Sequence, residues 1–464
     1  MRDSLKVSFI IMLYLVATCQ HLYGQSVTLQ GLIAGMSSNN DMVKYYASLV
    51  QSRQAAVTSA KYERLPNINT LYQATLGSAN NVQGGYLALG VIPSVSGGRR
   101  SYNTFDPQSG NTALAGIDWE VTNFGGFQAR TDLARSDLSV QNNMLAKGTY
   151  DLQGIAAAYY VELMRQYELE QIDRDNVDRL QQLLTSINSL VVNGIRPGVD
   201  SAIASAEISK SRVALYEAQK NFDQLQVQLS TLTGLPIAQL QPDTTAGDRL
   251  LQAAPSFILG AAVDTQHHPD LQYYSALTDL SRSRLNLERK RYYPRILLDA
   301  DVWTRASSLS NTDVYNKDLS QGYIPQRMNY FVGLTLSYDL MNIARKHINA
   351  NIYKYDVEAS QHRLDQERRD LNDELQRARI ETDYQLRRLG ETERQMHAAD
   401  VAFGQQSNLY RNGLSSVIDL NLALSYSIQA RKDYLDSKAG YMRSVLNYAL
   451  VTNSFSNMVQ TLKL

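Results

Sequence analysis

Residues 191–205 and 409–423 carry the same short motif, and its members keep step over a long distance. Asn193 and Asn412, Gly194 and Gly413, Asp200 and Asp419, and Arg212 and Arg431 are each separated by 219 positions. A constant offset over that span means that the chain is two copies of one unit. Each motif closes one long polar helical pattern and opens another. Asn-Gly ends the first helix, and the Pro, Ser or Asp that follows starts the next. Each motif is therefore read as the tip of a helical hairpin.

A length of 464 residues would ordinarily suggest about three domains. The duplication instead points to one elongated body built twice. Lys and Arg (45) balance Asp and Glu (45), which argues against a nucleic-acid partner. At the N-terminus, Arg2 and Lys6 precede an apolar run over 7–18, too short for a permanent membrane anchor. The first 24 residues are read as a signal peptide cut between Gly24 and Gln25. Cys19, the single cysteine, is an alternative acylation site within it. Cleavage at Gln25 leaves a mature chain without thiol or disulfide chemistry. No later run is apolar and long enough for a membrane helix.

Helix is expected over about 38–64, up to Pro66, and then the period changes from helical to alternating. Strand patterns fall at about 68–76 and 114–124, separated by a Gly-, Ser- and Asn-rich stretch, 77–112, read as a loop. A proline-free helix follows over about 127–192, roughly 100 Å at 1.5 Å per residue. After the first tip, Phe222, Leu225, Leu229 and Leu232 mark an apolar stripe that ends at Gly234 and Pro236. Residues 25–236 thus form a first repeat and 237–266 a less regular connector. The second repeat, 267–464, has helix to about Tyr293, strands at about 296–303 and 328–340, and a loop over 304–327. Its long helix, 342–410, places Leu364, Leu371, Leu375, Ala378, Thr382, Leu386 and Leu389 along one side, a coiled-coil seam with charged flanks. The final helix, about 416–453, presents Tyr434, Tyr441, Val445 and Tyr448 on one face.

Four strands cannot close a membrane barrel, and open strand edges are not tolerated in lipid. Strands of this length must therefore be shared among several chains.

The two-fold repeat, the paired Asn-Gly…Asp tips and the proline-led strand pairs resemble the TolC-like outer-membrane efflux channels, over essentially the whole mature chain. The resemblance implies a mostly α fold with a membrane β-barrel portion. Each chain is a duplicated helix–strand–strand–helix unit. Three chains close a twelve-stranded barrel in the outer membrane, continued by a long coiled-coil tunnel in the periplasm. It further implies a passive exit duct of a tripartite efflux or type I secretion system. Such a duct docks onto a periplasmic adaptor (membrane fusion protein) and an inner-membrane pump, and uses no cofactor.

By the same resemblance, Asp419 matches the first of two acids that restrict the pore at its periplasmic end; Leu422 stands where the second would be. Asp200 matches the acid of the other hairpin that helps to tie the helices shut. Read locally, both acids are helix N-caps, favoured by the free N–H groups and the dipole of a helix start, and a cap and a gate are compatible. Gly194, Ile195, Gly413, Leu414 and Ser415 at the tips are the implied adaptor contacts, with turn chemistry the alternative for the glycines.

His267-His268 lacks a partner cluster at metal-ligand spacing and reads as a helix start ahead of Pro269. Gly97-Gly-Arg-Arg100 reads as an exposed loop rather than a phosphate cradle. Tyr72, Trp119, Phe124, Trp303, Tyr330, Phe331 and Tyr338 lie on or beside the strands as candidates for aromatic girdles. With no nucleophile motif or cofactor fingerprint, an enzyme is not expected. The rival class is an exported coiled-coil structural or adaptor protein without a membrane barrel.

Overall fold

A computed structural model describes residues 26–78, 80, 103–260, 263–309 and 318–463. The expected signal peptide with Cys19, the loop at Gly97–Arg100 and parts of both strand-connecting loops lie outside the described residues. The chain divides into two compact units. One draws on residues 52–139 and 278–360, the other on the described residues up to Gln51, on 140–277 and on 361–464.

The first unit is built around a four-stranded antiparallel sheet in the order β1-β2-β3-β4. Its strands are β1 (Asn67–Gly77), β2 (Gln108–Thr122), β3 (Arg295–Ser307) and β4 (Arg327–Ser337). Pro66 and Pro294 stand immediately before β1 and just before Arg295 of β3, where a missing N–H and a fixed φ end the preceding helix. β2 begins at Gln108, within the stretch read as loop. Its first residues, Gln-Ser-Gly-Asn-Thr, lack the apolar alternation that marks a strand. They pair with β1 all the same, and a short 3₁₀ turn, Leu319–Tyr323, covers Ser109 and Asn111. Asn111 Nδ2 donates to the Tyr323 carbonyl at 2.6 Å. The outer edges of β1 and β4 have no strand partner among the described residues.

The second unit is helical, and four of its helices, Asp41–Tyr62, Gly126–Val192, Pro269–Arg291 and Asn342–Arg411, have part of their length in the first. Thr28 caps α1 (Leu29–Asn39), accepting from the Gly31 N–H, and α2 (Asp41–Tyr62) follows after a break at Asn40. The sequence reading of one helix over 38–64 missed that break. Asn40 Oδ1 accepts from the Met42 N–H, restarting the helix by side-chain capping. The long helices are α3 (Gly126–Val192), α4 (Gly198–Thr233), α7 (Asn342–Arg411) and α8 (Val417–Val451). Between them lie α5 (Thr244–Gly260) and α6 (Pro269–Arg291), and α9 (Phe455–Leu462) ends the described chain. α5 lies in the supposedly irregular connector; Pro255 inside it hid the helical pattern, yet Ala246, Leu250 and Ala254 line one buried face.

The core of this unit joins those residues to Leu29, Leu32 and Met36 of α1, Tyr160 and Leu163 of α3, Phe222, Leu225 and Leu229 of α4, and Tyr441 and Val445 of α8. Burying each large apolar side chain contributes on the order of 1.5–3 kcal/mol. Along α7, Leu364, Leu371, Ala378 and Thr382 are buried, and Leu375 and Leu389 half-buried. Leu386, assigned to the same seam, is exposed at 45 %. A strict seven-residue step from Thr382 falls on Leu389, which leaves Leu386 on the flank.

Candidate functional site

The two hairpin tips are built by one backbone device. At the first, the Gly194 N–H donates to the Val191 carbonyl and the Ile195 N–H to the Leu190 carbonyl, both at 2.9 Å. At the second, the Gly413 N–H reaches the Tyr410 carbonyl at 3.0 Å and the Leu414 N–H the Leu409 carbonyl at 2.9 Å. This paired pattern satisfies the last carbonyls of a helix and requires a left-handed residue. Gly194 (φ 70°) and Gly413 (φ 79°) supply it. A Cβ on either would meet nothing within 4 Å, so the backbone angle, not crowding, calls for glycine.

The helices that leave the tips start differently. α8 begins with a capping box: Ser416 Oγ accepts from the Asp419 N–H, and the Asp419 carboxylate accepts from the Ser416 N–H at 3.3 Å and its hydroxyl at 2.7 Å. Those bonds from Ser416 hold Asp419, which is fully exposed, below the usual carboxylate range. α4 begins at Pro197 with no side-chain cap, and Asp200 is buried. Its Oδ2 accepts from the Tyr410 hydroxyl at 3.4 Å. Neither acid is therefore the N-cap residue that local reading made it. Pro197 and Ser416 hold those positions, and both acids stand in the first turn.

Arg196 was not singled out from sequence, and it too joins the tips. Its guanidinium stacks on the Tyr410 ring, 4.7 Å from the centroid, and donates to the carbonyls of Tyr410 (3.2 Å) and Ser415 (3.0 Å). It thereby places a cation on the C-terminal end of α7, where the helix dipole favours one. Burial, and secondarily the Asp200 carboxylate, push Tyr410 above its ordinary range. Ile187, Ala204, Val417 and Leu420 pack around the Tyr410 ring. Of the expected tip residues, Ser415 accepts from Arg196 through its carbonyl and meets Gln406 through its hydroxyl. Ile195 and Leu414 are exposed, as are Ile418, Leu422 and Tyr426, which continue from Leu414 at four-residue steps along α8.

His267 pairs through Nδ1 with Asp264 at 2.9 Å, and His268 is buried edge-on to Tyr150 with burial lowering its pKa. Among the described residues no three His, Cys, Asp or Glu side chains converge as metal ligands, and no helix is long and apolar enough to cross a membrane.

The sheet has two unlike faces, fixed by its register. Because paired residues point the same way, Ile68, Tyr72 and Leu76 of β1 share a face with Ala113, Ala115 and Ile117 of β2. The same face continues through Leu298, Ala300 and Val302 of β3 to Tyr330, Val332, Leu334 and Leu336 of β4. Most of its large apolar side chains are exposed, Leu334 by 71 %. The opposite face carries Asn69, Gln73, Thr112, Asp118, Asp299, Asp301, Arg305, Arg327 and Asn329. Register also sorts the strand aromatics: Tyr72, Trp119 and Tyr330 lie on the apolar face, Trp303 and Phe331 on the polar one.

Residues 35–235 and 265–452 match the family described as Outer membrane efflux protein. That match spans most of the sequence, and the chain belongs to this family. Its fold is that of outer-membrane proteins from three bacteria, two of them described as channels. VceC of Vibrio cholerae superposes with a TM-score of 0.71 at 13% identity, covering 92% of this chain and 96% of that one. CmeC of Campylobacter jejuni gives 0.69 at 13%, covering 94% and 89%. The open state of MtrE of Neisseria gonorrhoeae gives 0.66 at 14%, covering 94% of each. No curated protein matches the chain in sequence. The protein is thus an outer-membrane efflux protein.

Proposed function

We propose that three copies of the chain close a twelve-stranded barrel and act as the passive exit duct of a tripartite export system. A periplasmic adaptor and an inner-membrane pump engage the helical end, and no enzymatic step is involved. The sheet carries this reading. It is apolar on one face and polar on the other, it presents strands of membrane-crossing length, and its two outer edges lack partners. In lipid such edges must be paired, and a neighbouring copy's β1 against β4 continues the antiparallel order. The apolar face then meets lipid and the polar face lines water. The rival fibre or adaptor class offers no use for a sheet with this asymmetry. Residues 1–24 serve as the signal peptide, and 25–236 and 267–464 as repeats joined by 237–266.

Asp419 and Asp200 take the gate roles. Asp419 stands in water at the tip, where three copies around one axis set a ring of carboxylates that favours cations. Asp200, through Tyr410, latches the first hairpin to the second. The exposed Ile195 and Leu414, with Gly194, Gly413 and Ser415, form the adaptor contact. Electron microscopy of the detergent-extracted protein tests the assembly: three-fold particles with a barrel collar are expected, and a fibre or a monomer would overturn it. Asp419→Ala channels in planar bilayers test the gate, which requires a loss of cation preference; unchanged selectivity and pore size would remove the role. Gly413→Trp should abolish export while leaving the trimer intact.

A further inference from the structure

On the polar face of the sheet, two neighbouring features run against local expectation. Trp303 and Phe331 place their rings edge to face, 6.4 Å apart, on a face that otherwise carries mainly Asn, Gln, Thr and charged side chains, and Leu114, with Leu71 opposite it in turn, stands directly across from Trp303. In the adjoining rows, Asp301 pairs across from Phe331, and Asp299 directly faces Asp118. Like charges in opposed positions destabilise a sheet, and neither Asp299 nor Asp301 has an ion-pair partner among the described residues. The Asp301 carboxylate lies where a Cβ at Gly116 would sit, so a glycine there is what lets the acid lean across onto β2, one row from Trp303 and Leu114. Local rules broken side by side are a mark of function.

We infer that Trp303, Phe331, Leu114 and Asp301 form a contact site for amphipathic organic cations. The inference rests on the proposed barrel, in which this face lines the water-filled passage. Aromatic faces attract a desolvated cation, Asp301 supplies the countercharge, and Leu114 covers an apolar substituent. An anion would have to sit over Arg305 and Arg327, which face each other in the row beyond Trp303. Gln73 and Thr112 complete that row and offer no aromatic surface. Repeated three times around a barrel, the site would give organic cations a resting point on their way out.

The chain holds two tryptophans, so Trp119→Phe leaves Trp303 as the reporter within the full trimer. Phenyltrimethylammonium is the probe, and benzenesulfonate its anionic counterpart. A saturable change in Trp303 emission with the cation and none with the anion is expected. Phe331→Leu and Asp301→Asn, each retaining the trimer, should weaken binding by about fivefold or more. Acrylamide separates the two levels of the argument. If it quenches Trp303 but the cation gives no saturable response, or binds both variants as well as the parent, the site is wrong and the barrel stands. If acrylamide fails and brominated lipid quenches Trp303 instead, the barrel orientation and the site fall together.

Discussion

At the first tip Asp200 is buried and faces Tyr410; at the second, Asp419 stands in water and holds Ser416. The two turns above them are nearly superimposable in their hydrogen bonds, down to the left-handed glycine. Duplication has therefore kept the backbone device and let the side chains divide the work. Arg196 shows how. Its repeat-equivalent, 219 positions on, is Ser415, and Arg196 donates to that residue's carbonyl. Tyr410 answers to Val191 in the same alignment. A symmetric pair of hairpins has become a donor and an acceptor, so that one tip clasps the other.

The sharpest way to break this comparison is to remove the clasp. Arg196→Ala takes away two charge-assisted bonds and a cation–π contact, together worth roughly 2 kcal/mol. Amide exchange over 408–416 should accelerate by about tenfold or more, with the 190–194 amides much less affected. Equal acceleration at both tips would mean that Arg196 is not the asymmetric element. Next in size, Gly194→Ala and Gly413→Ala should each cost about 1 kcal/mol in the stability of their own tip. The two values should agree, because neither site is crowded and only the left-handed angle is penalised. Ser416→Ala should cost a similar or smaller amount, about 0.5–1 kcal/mol, at the second tip alone, since the first has no side-chain cap to lose.

The smallest effect is one of pH. Asp419 titrates below its ordinary value, so its contribution is present above about pH 4 and fades as the pH falls below that. Exchange at the start of α8 should rise on acidification, and Asp419→Asn should flatten that rise. Tyr410 works in the other direction. Its raised value means that its contribution is present below about pH 10 and is lost as the pH climbs through the folded value.

The tips and the long helices were legible because they depend on local rules: Asn-Gly at a helix end, a sustained 3.6-residue pattern, proline before a strand. The partners across the tips were not, since nothing in the sequence around Arg196 announces a carbonyl 219 positions away. The usable signal was the departure from repeat symmetry, Arg against Ser and Tyr against Val. The faces of the sheet were hidden for a related reason. Alternation shows that a strand has two sides, but only register decides that Trp119 joins Leu298 and Trp303 joins Leu114. The start of β2 at Gln108 was invisible because its side chains are covered by a loop from another part of the chain, Leu319–Tyr323.

Those two tryptophans allow the most direct test of the central claim, that one face of the sheet meets lipid and the other water. Trp303→Phe leaves Trp119 on the apolar face, and Trp119→Phe leaves Trp303 on the polar one. In vesicles of brominated lipid, with acrylamide in the buffer, Trp119 should be quenched mainly by the lipid and Trp303 mainly by acrylamide. The reverse pattern, or equal quenching of both by acrylamide, would contradict the barrel.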